Sequence, residues 1–103
     1  MAPRKVGGVA ALATVRERID WLDERLLRML NQRARCALEI GRIKKRGKWP
    51  VYDAKREAAV LRHVTQANGG PLSTAAVQHI FHAILCECRR RERARKQSIV
   101  HSP

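Results

Sequence analysis

The feature that most restricts how this chain can fold is an apolar seam through most of its first half. Apolar residues recur every three or four positions from about Leu12 to Arg46, except for one gap of seven between Met29 and Cys36, with no proline and with Gly41 as the single glycine. This spacing predicts one amphipathic α-helix of about 34 residues, roughly 50 Å long at 1.5 Å per residue. We expect Gly47 and Pro50 to end it, and we expect Gly41 to mark a close approach of another backbone or a ligand. The seam consists of Val15, Ile19, Leu22, Leu26, Met29, Cys36, Ile40 and Ile43.

A helix of this length does not fit inside a compact monomer. A globular domain of about 100 residues has a radius of gyration near 13 Å, so much of the helix must project from it. An apolar seam left in water along the projecting part would be unfavourable. The sequence therefore predicts a homodimer in which two long helices pair and each reaches the helices of the other chain.

Two shorter helices are predicted after the long one. The second runs from Asp53, a good N-cap, to about Ala67, and the NGGP segment at 68–71 breaks it. The third begins at Ser73 and runs into the basic segment RRRERARK. Since no segment alternates as a strand does, the predicted fold class is all-α: a long N-terminal helix and two shorter ones in an intertwined homodimeric bundle.

The 103 residues have room for one domain, which we expect to span 12–96 between flexible tails at 1–11 and 97–103. We expect no fused second enzyme within this length. A signal peptide is the alternative for the first segment, but its apolar run is only eight residues long and contains two glycines. No stretch approaches the roughly 20 apolar residues of a membrane span.

The formal charge of +13 attracts anions, whether nucleic acid, an acidic membrane or a small polyanionic substrate. The excess is uneven: residues 15–48 carry +6, residues 49–88 carry 0 and residues 89–103 carry +5. For the basic tail, a solvated helix end is the expected state and a second binding surface is the alternative.

The cysteine count predicts a reduced, cytoplasmic setting. There are three cysteines, an odd number that does not suit a disulfide framework, and no second Cys/His pair at metal-ligand spacing. The four histidines read as surface or edge residues rather than ligands. They are His63, His79, His82 and His101.

Several charged residues share helix faces with the predicted core. One line of the first helix contains Arg33 and Lys44, and the corresponding line of the third ends at Glu92. Each of these alone is ordinary, because long basic side chains extend to water at the edge of a core. Together they are costly, since a buried charge needs a partner. We therefore predict a bound anion, and the two-pronged grip of arginine suits a ligand with two carboxylates. The other charged residues on or beside such faces are Arg16, Arg56 and Glu57.

Three segments at consistent separations point to a family. They are VRERIDWLDERLLRMLNQRARCALEIGRIK, PVYDAKRE and NGGPLSTAAVQHIFHAIL. Over residues 12–92 the chain closely resembles the all-helical chorismate mutases of the AroQ class. The resemblance implies an intertwined dimer that converts chorismate to prephenate by a Claisen rearrangement, on the shikimate pathway to phenylalanine and tyrosine. It implies no metal and no cofactor.

The resemblance also implies roles for single residues. Arg33 would grip a substrate carboxylate within its own chain, and Arg16 would reach the site of the partner chain across the dimer. Lys44 would contact the ether oxygen and a carboxylate. Glu92 would face the same ether oxygen, and we expect it to be protonated and to donate a hydrogen bond there, because a carboxylate would repel that oxygen.

The other implied contacts concern the rest of the substrate. Glu57, with the backbone of Asp53, would hold the ring hydroxyl, and Arg56 would line the site beside them. Cys88 stands where we expect a small hydroxyl residue against a carboxylate. Because a thiol is a weaker donor, we expect a modest loss of grip there.

Two other functions fit parts of the sequence. An isochorismate pyruvate lyase on the same scaffold would share Arg16 and Arg33, but the full YDAKRE segment and the length of the first loop favour the mutase. A basic helical nucleic-acid-binding protein would fit the charge of +13. Against that function, the chain lacks a helix-turn-helix pattern and has few aromatic residues for stacking.

Overall fold

The structure is a computed structural model that describes the backbone of residues 2–101 and the side chains of residues 8–93. Three helices account for most of it: α1 (Ala2–Gly47), α2 (Ala54–Ala67) and α3 (Thr74–His101). No strand occurs within this described part. The predicted all-α fold of one long and two shorter helices is confirmed.

The ends of the helices extend further than the sequence predicts. Helix α1 begins at Ala2 instead of near Leu12, and α3 continues to His101. Pro3 lies in the first turn of α1, where a missing backbone N–H removes no helical hydrogen bond. The domain limits and the flexibility of the tails stay predictions, and residues 1, 102 and 103 lie outside the described part.

The predicted end of α1 at Gly47 is confirmed. The next residue, Lys48, adopts a left-handed conformation with φ 59°. The chain then turns back, and the Trp49 N–H donates to the carbonyl oxygen of Lys44 at 2.8 Å. This turn sends the chain towards the start of α2.

The two predicted N-caps are confirmed. The Asp53 carboxylate accepts a hydrogen bond from the Arg56 N–H at 3.0 Å, and the Ser73 hydroxyl accepts one from the Ala76 N–H at 3.1 Å. Each cap satisfies a backbone donor that has no partner within its helix, which typically stabilises a helix by about 1 kcal/mol. The caps therefore fix where α2 and α3 begin.

The turn between α2 and α3 is held by Asn68. Its side-chain oxygen accepts from the Gly70 N–H at 3.0 Å, and its side-chain nitrogen donates to the Leu72 carbonyl at 2.8 Å. Gly70 has a φ of +79°, a left-handed conformation that glycine adopts without strain. The predicted break at this point is confirmed.

The chain divides into two compact units, residues 1–32 and residues 33–103. The first unit is the part of α1 up to Gln32. Its seam is exposed within the single chain, and Leu26, for example, leaves 57% of its surface in contact with solvent. Regularly spaced large apolar side chains at such exposure are typical of a surface that another protein covers.

The second unit contains the last part of α1 together with α2 and α3. Helix α2 packs against α3. The core is small, and Glu92 is buried beside it with 9% of its surface exposed. The buried apolar residues are Ala37, Val60, Val77, Leu85 and Cys88.

Gly41 lets α3 come unusually close to α1. A Cβ atom at this position would lie 3.3 Å from the Glu92 Cα and 3.4 Å from its Cβ. Glycine costs about 1 kcal/mol relative to alanine inside a helix, so a packing reason is expected for it. The close approach predicted at Gly41 is confirmed, and the approaching backbone is that of Glu92.

Replacing Gly41 by leucine is expected to destabilise the protein by about 1–3 kcal/mol, because the new side chain must push α3 away. The control is Gly8→Leu in the same helix, where an added Cβ would meet nothing within 4 Å. That variant should be as stable as the parent or slightly more so, since leucine has the higher helix propensity. Urea denaturation measures both, and an equal loss in the two variants would contradict the close approach.

Candidate active site

The second unit contains a cavity of about 400 Å³, with walls contributed by its part of α1 and by α2 and α3. Seven of the eight candidate site residues line it. They are Arg33, Lys44, Asp53, Arg56, Glu57, Cys88 and Glu92. The eighth, Arg16, is an exposed residue of the first unit and is not a lining residue of this cavity.

Helical periodicity brings these side chains to the cavity. Arg33, Ala37, Ile40 and Lys44 are three or four residues apart on α1, so they share one face, and all four line the cavity. Cys88 and Glu92 are one turn apart on α3, as the sequence predicts. The N-cap and first turn of α2 supply Asp53, Arg56 and Glu57, which reach the cavity together because the cap fixes where that turn starts.

Lys44 and Glu92 form an ion pair at one part of the cavity. The Lys44 Nζ donates to Glu92 Oε1 at 3.2 Å and to the Val51 carbonyl oxygen at 2.6 Å. The two side chains are 17% and 11% exposed, so the pair is largely withdrawn from water. Loss of hydration is costly for both charges, and their mutual attraction offsets that cost. The Lys44 ammonium group and the Glu92 carboxyl group are thereby held next to each other at the cavity surface.

Arg33 contacts the thiol of Cys88. Its Nη1 donates to the Cys88 Sγ at 3.1 Å, and Cys88 is buried. Sulfur is a weak acceptor, so this contact uses little of the hydrogen-bonding capacity of the guanidinium. Within residues 8–93, neither Arg33 nor Arg56 forms an ion pair with a carboxylate. These two cations are therefore available to an anionic ligand.

Glu57 has a partner that the sequence analysis missed. Arg89 on α3 donates to both carboxylate oxygens of Glu57, at 2.7 Å from its Nη2 and 3.0 Å from its Nε. The Glu57 carboxylate, by hydrogen bond and by charge, raises the pKa of Arg89 above its already high usual value. A signal for Arg89 exists in the sequence, since it lies four residues after Leu85 and three before Glu92 on the inward face of α3.

The Asp53 carboxylate is used as the N-cap of α2. One of its side-chain oxygens is therefore occupied within the protein. Cys36 is a further lining residue that the sequence placed only in the apolar seam.

Other site types find no support in the described part. Residues 8–93 contain no group of three or more His, Cys, Asp or Glu side chains arranged to hold a metal ion. His63, His79 and His82 are exposed, and His101 lies outside the described side chains. No helix in that part is both long enough and apolar enough to cross a membrane.

The cavity is suited to holding an anion and stabilising charge within it. Its walls combine two guanidinium groups that form no ion pair within residues 8–93, an ammonium group next to a carboxyl group, and a second carboxylate that Arg89 holds in place. Such an arrangement can orient a small molecule with carboxylates and can stabilise negative charge that develops in a reaction.

A family model, curated relatives and a solved structure point to one family. A family model described as chorismate mutase type II matches residues 15–93. The chain is 44% identical to the bifunctional chorismate mutase/prephenate dehydratase of Pseudomonas aeruginosa over 82 residues, which are 75% of this chain and 22% of that protein. It is 42% identical to the protein of the same name from Neisseria gonorrhoeae over 78 residues, 76% of this chain and 21% of that one. The chain thus spans about a fifth of the length of these curated relatives.

A solved structure supports the same grouping. The fold matches a chorismate mutase (form II) from Thermus thermophilus with a TM-score of 0.78 and 30% sequence identity. The match covers 80% of this chain and 93% of that one.

Proposed function

The chain belongs to the chorismate mutase type II family, and from this membership we propose that it converts chorismate to prephenate for the synthesis of phenylalanine and tyrosine. The observation that carries the proposal is the convergence of Lys44 and Glu92, 3.2 Å apart, in a cavity that Arg33 also lines. The Arg33 guanidinium forms no ion pair with any carboxylate of residues 8–93. Chorismate has two carboxylates and an ether oxygen, and these groups match that set of side chains.

The reaction requires little chemistry from the protein, because bonds break and form within one molecule. The substrate must be held in the compact conformer in which its two reacting carbon atoms are close together. Arg33 supports this by binding one carboxylate, and Arg56 supports it from the opposite helix, α2. Neither a nucleophile nor a cofactor is needed for this step.

The second contribution is electrostatic. As the C–O bond lengthens, negative charge develops on the ether oxygen, and donors placed there in advance stabilise it. Lys44 supplies an ammonium group held in place by the Val51 carbonyl. Glu92 supplies a second donor when its carboxyl group carries a proton. The hydrogen bond from Lys44 is compatible with either form, because the carbonyl oxygen of a protonated carboxyl group also accepts.

The remaining polar groups would bind the ring and the second carboxylate. The Glu57 carboxylate would accept a hydrogen bond from the ring hydroxyl, and the backbone of Asp53 would also contact that hydroxyl. Cys88 would lie against a substrate carboxylate beside Arg33. The Arg33 guanidinium already donates a hydrogen bond to the Cys88 sulfur at 3.1 Å. Because the thiol is a weak donor, its contribution would be small compared with that of the guanidinium.

We further propose that the active form is a homodimer in which Arg16 completes the site of the partner chain. The support is the exposed apolar seam of the first unit, which includes Ile19, Leu22 and Leu26. Its regular spacing suits pairing with a second copy of the same helix. Arg16 lies on this unit, one turn before Ile19.

A cytoplasmic location is part of the same proposal. The three cysteines are all free thiols, which is typical of proteins kept in a reducing compartment.

Purified protein is expected to convert chorismate to prephenate. The reaction is measured as the decrease in chorismate absorbance, and prephenate is identified as the product. Arg33→Ala should lower kcat/KM by about 100-fold or more, because a charged grip on the substrate is lost. The matched control is Arg35→Ala, which removes an exposed arginine two residues away that does not line the cavity. Release of pyruvate from isochorismate, with chorismate left intact, would instead assign the lyase reaction.

Glu92→Gln keeps a hydrogen-bond donor beside the ether oxygen and is expected to retain most of the activity. Glu92→Leu removes the donor and should lower kcat/KM by about 100-fold or more, the usual cost of losing one donor to developing negative charge. Measurement of kcat/KM for both variants tests the role. An equal loss in the two would remove Glu92 as a donor to the ether oxygen.

Mixed dimers test whether Arg16 acts across the interface. Arg16→Ala and Arg33→Ala should each be nearly inactive alone. After unfolding and refolding together in equal amounts, about a quarter of the sites should regain both arginines, because random pairing makes half the dimers mixed and one site in each of these is complete. No recovery, with mixed dimers present, would place Arg16 in the site of its own chain or outside it.

A further inference from the structure

Glu57 lines the cavity, and its carboxylate is held by hydrogen bonds from Arg89, a residue that does not line the cavity. We propose that Arg89 is a positioning residue of the active site, which fixes the Glu57 carboxylate in the orientation that receives the ring hydroxyl of the substrate. This inference rests on the proposed function. It adds that the Arg89–Glu57 pair makes the site prefer ligands that carry the ring hydroxyl.

The contact between the two residues is a two-pronged one. Arg89 Nη2 donates to Glu57 Oε1 at 2.7 Å, and Arg89 Nε donates to Oε2 at 3.0 Å. Two parallel bonds from a planar guanidinium fix the plane of the carboxylate as well as its position. The side chains are 22% and 19% exposed, so solvent competes little for these bonds.

Binding to Arg89 leaves Glu57 free to accept a further hydrogen bond. A carboxylate offers about four lone-pair positions, and a two-pronged arginine uses those that face it. Glu57 lines the cavity, whereas Arg89 does not. The remaining acceptor positions can therefore serve a hydroxyl group in the cavity.

Tyr52 holds the guanidinium from a second side. The Arg89 Cζ lies 4.6 Å from the centre of the Tyr52 ring, a distance at which a cation is attracted to an aromatic face. Tyr52 directly precedes Asp53, the N-cap of α2. Arg89, on α3, thus contacts Tyr52 just before α2 and Glu57 in the first turn of α2. These contacts tie the position of the Glu57 carboxylate to both α2 and α3.

Two other roles for Arg89 predict different behaviour. If it only attracted an anionic substrate by charge, lysine would replace it, because Arg89→Lys keeps the charge and loses the planar fork. If it only stabilised the fold, its loss would lower the unfolding temperature without changing which ligands the folded protein prefers. Positioning of Glu57 predicts that both Arg89→Lys and Arg89→Leu lose preference for the hydroxyl.

The test compares Arg89→Lys and Arg89→Leu with Arg90→Leu. Arg90 is the neighbouring arginine, and its pair with Glu87 is at the surface, with side chains 73% and 67% exposed. The probes are chorismate itself and two dicarboxylate inhibitors that differ only in having a ring hydroxyl or a hydrogen. The measurements are kcat/KM and the ratio of the two inhibition constants, with thermal unfolding to establish the folded fraction.

We expect both Arg89 variants to lose about tenfold to a hundredfold in kcat/KM, as small displacements of an active-site group do. The ratio of inhibition constants should fall towards one in both, and Arg90→Leu should match the parent in every measurement. Tyr52→Leu, which removes the ring, should show the same loss of preference to a smaller degree.

The outcomes separate the two proposals. A parent protein that binds the inhibitors but does not convert chorismate would overturn the proposed function. An active parent with an unchanged inhibitor ratio in the Arg89 variants would overturn the positioning role alone. If Arg89→Leu does not fold, Arg89→Lys and Tyr52→Leu decide by the same ratio.

Discussion

The candidate site depends on how a buried carboxyl group on α3 is accommodated against α1. Glu92 is only 9% exposed, and the loss of its hydration is offset by the Lys44 ammonium group at 3.2 Å. The pair can form because Gly41 has no side chain, which lets the Glu92 backbone approach within contact distance. A packing feature and an electrostatic feature therefore coincide, and the ammonium and carboxyl groups are held in place before any ligand binds, as stabilisation of developing charge requires.

The charges around the cavity divide into two kinds. Glu57 is bound by Arg89, and Glu92 by Lys44, so both acids are compensated within the protein. The guanidinium groups of Arg33 and Arg56 have no carboxylate partner within residues 8–93. The free positive charge is thus concentrated on groups that can grip carboxylates bidentately, which favours a dianionic ligand over a neutral one.

Much of the fold follows from local rules. The spacing of apolar residues predicts α1, Asp53 and Ser73 predict the starts of α2 and α3, and the break at 68–71 predicts the turn between them. The same periodicity places Arg33 and Lys44 on one face of α1. The helix ends are the exception, because residues 2–11 carry no strong start signal and the structure extends α1 back to Ala2. Continuing an existing helix costs far less than starting one, so the actual end is poorly encoded.

The sequence by itself determined the three helices, the caps of α2 and α3 and the shared face of Arg33 and Lys44, because these depend on spacing within single segments. The resemblance to a family added Asp53 and Cys88 to the candidate residues. The tertiary structure alone decided which charges meet. It paired Glu57 with Arg89, 32 positions apart, and Lys44 with Glu92, 48 positions apart. It also showed that a backbone, that of Glu92, is what Gly41 accommodates. Such pairings depend on how separate helices are placed in space, and helical periodicity contains no information about the distance between two helices.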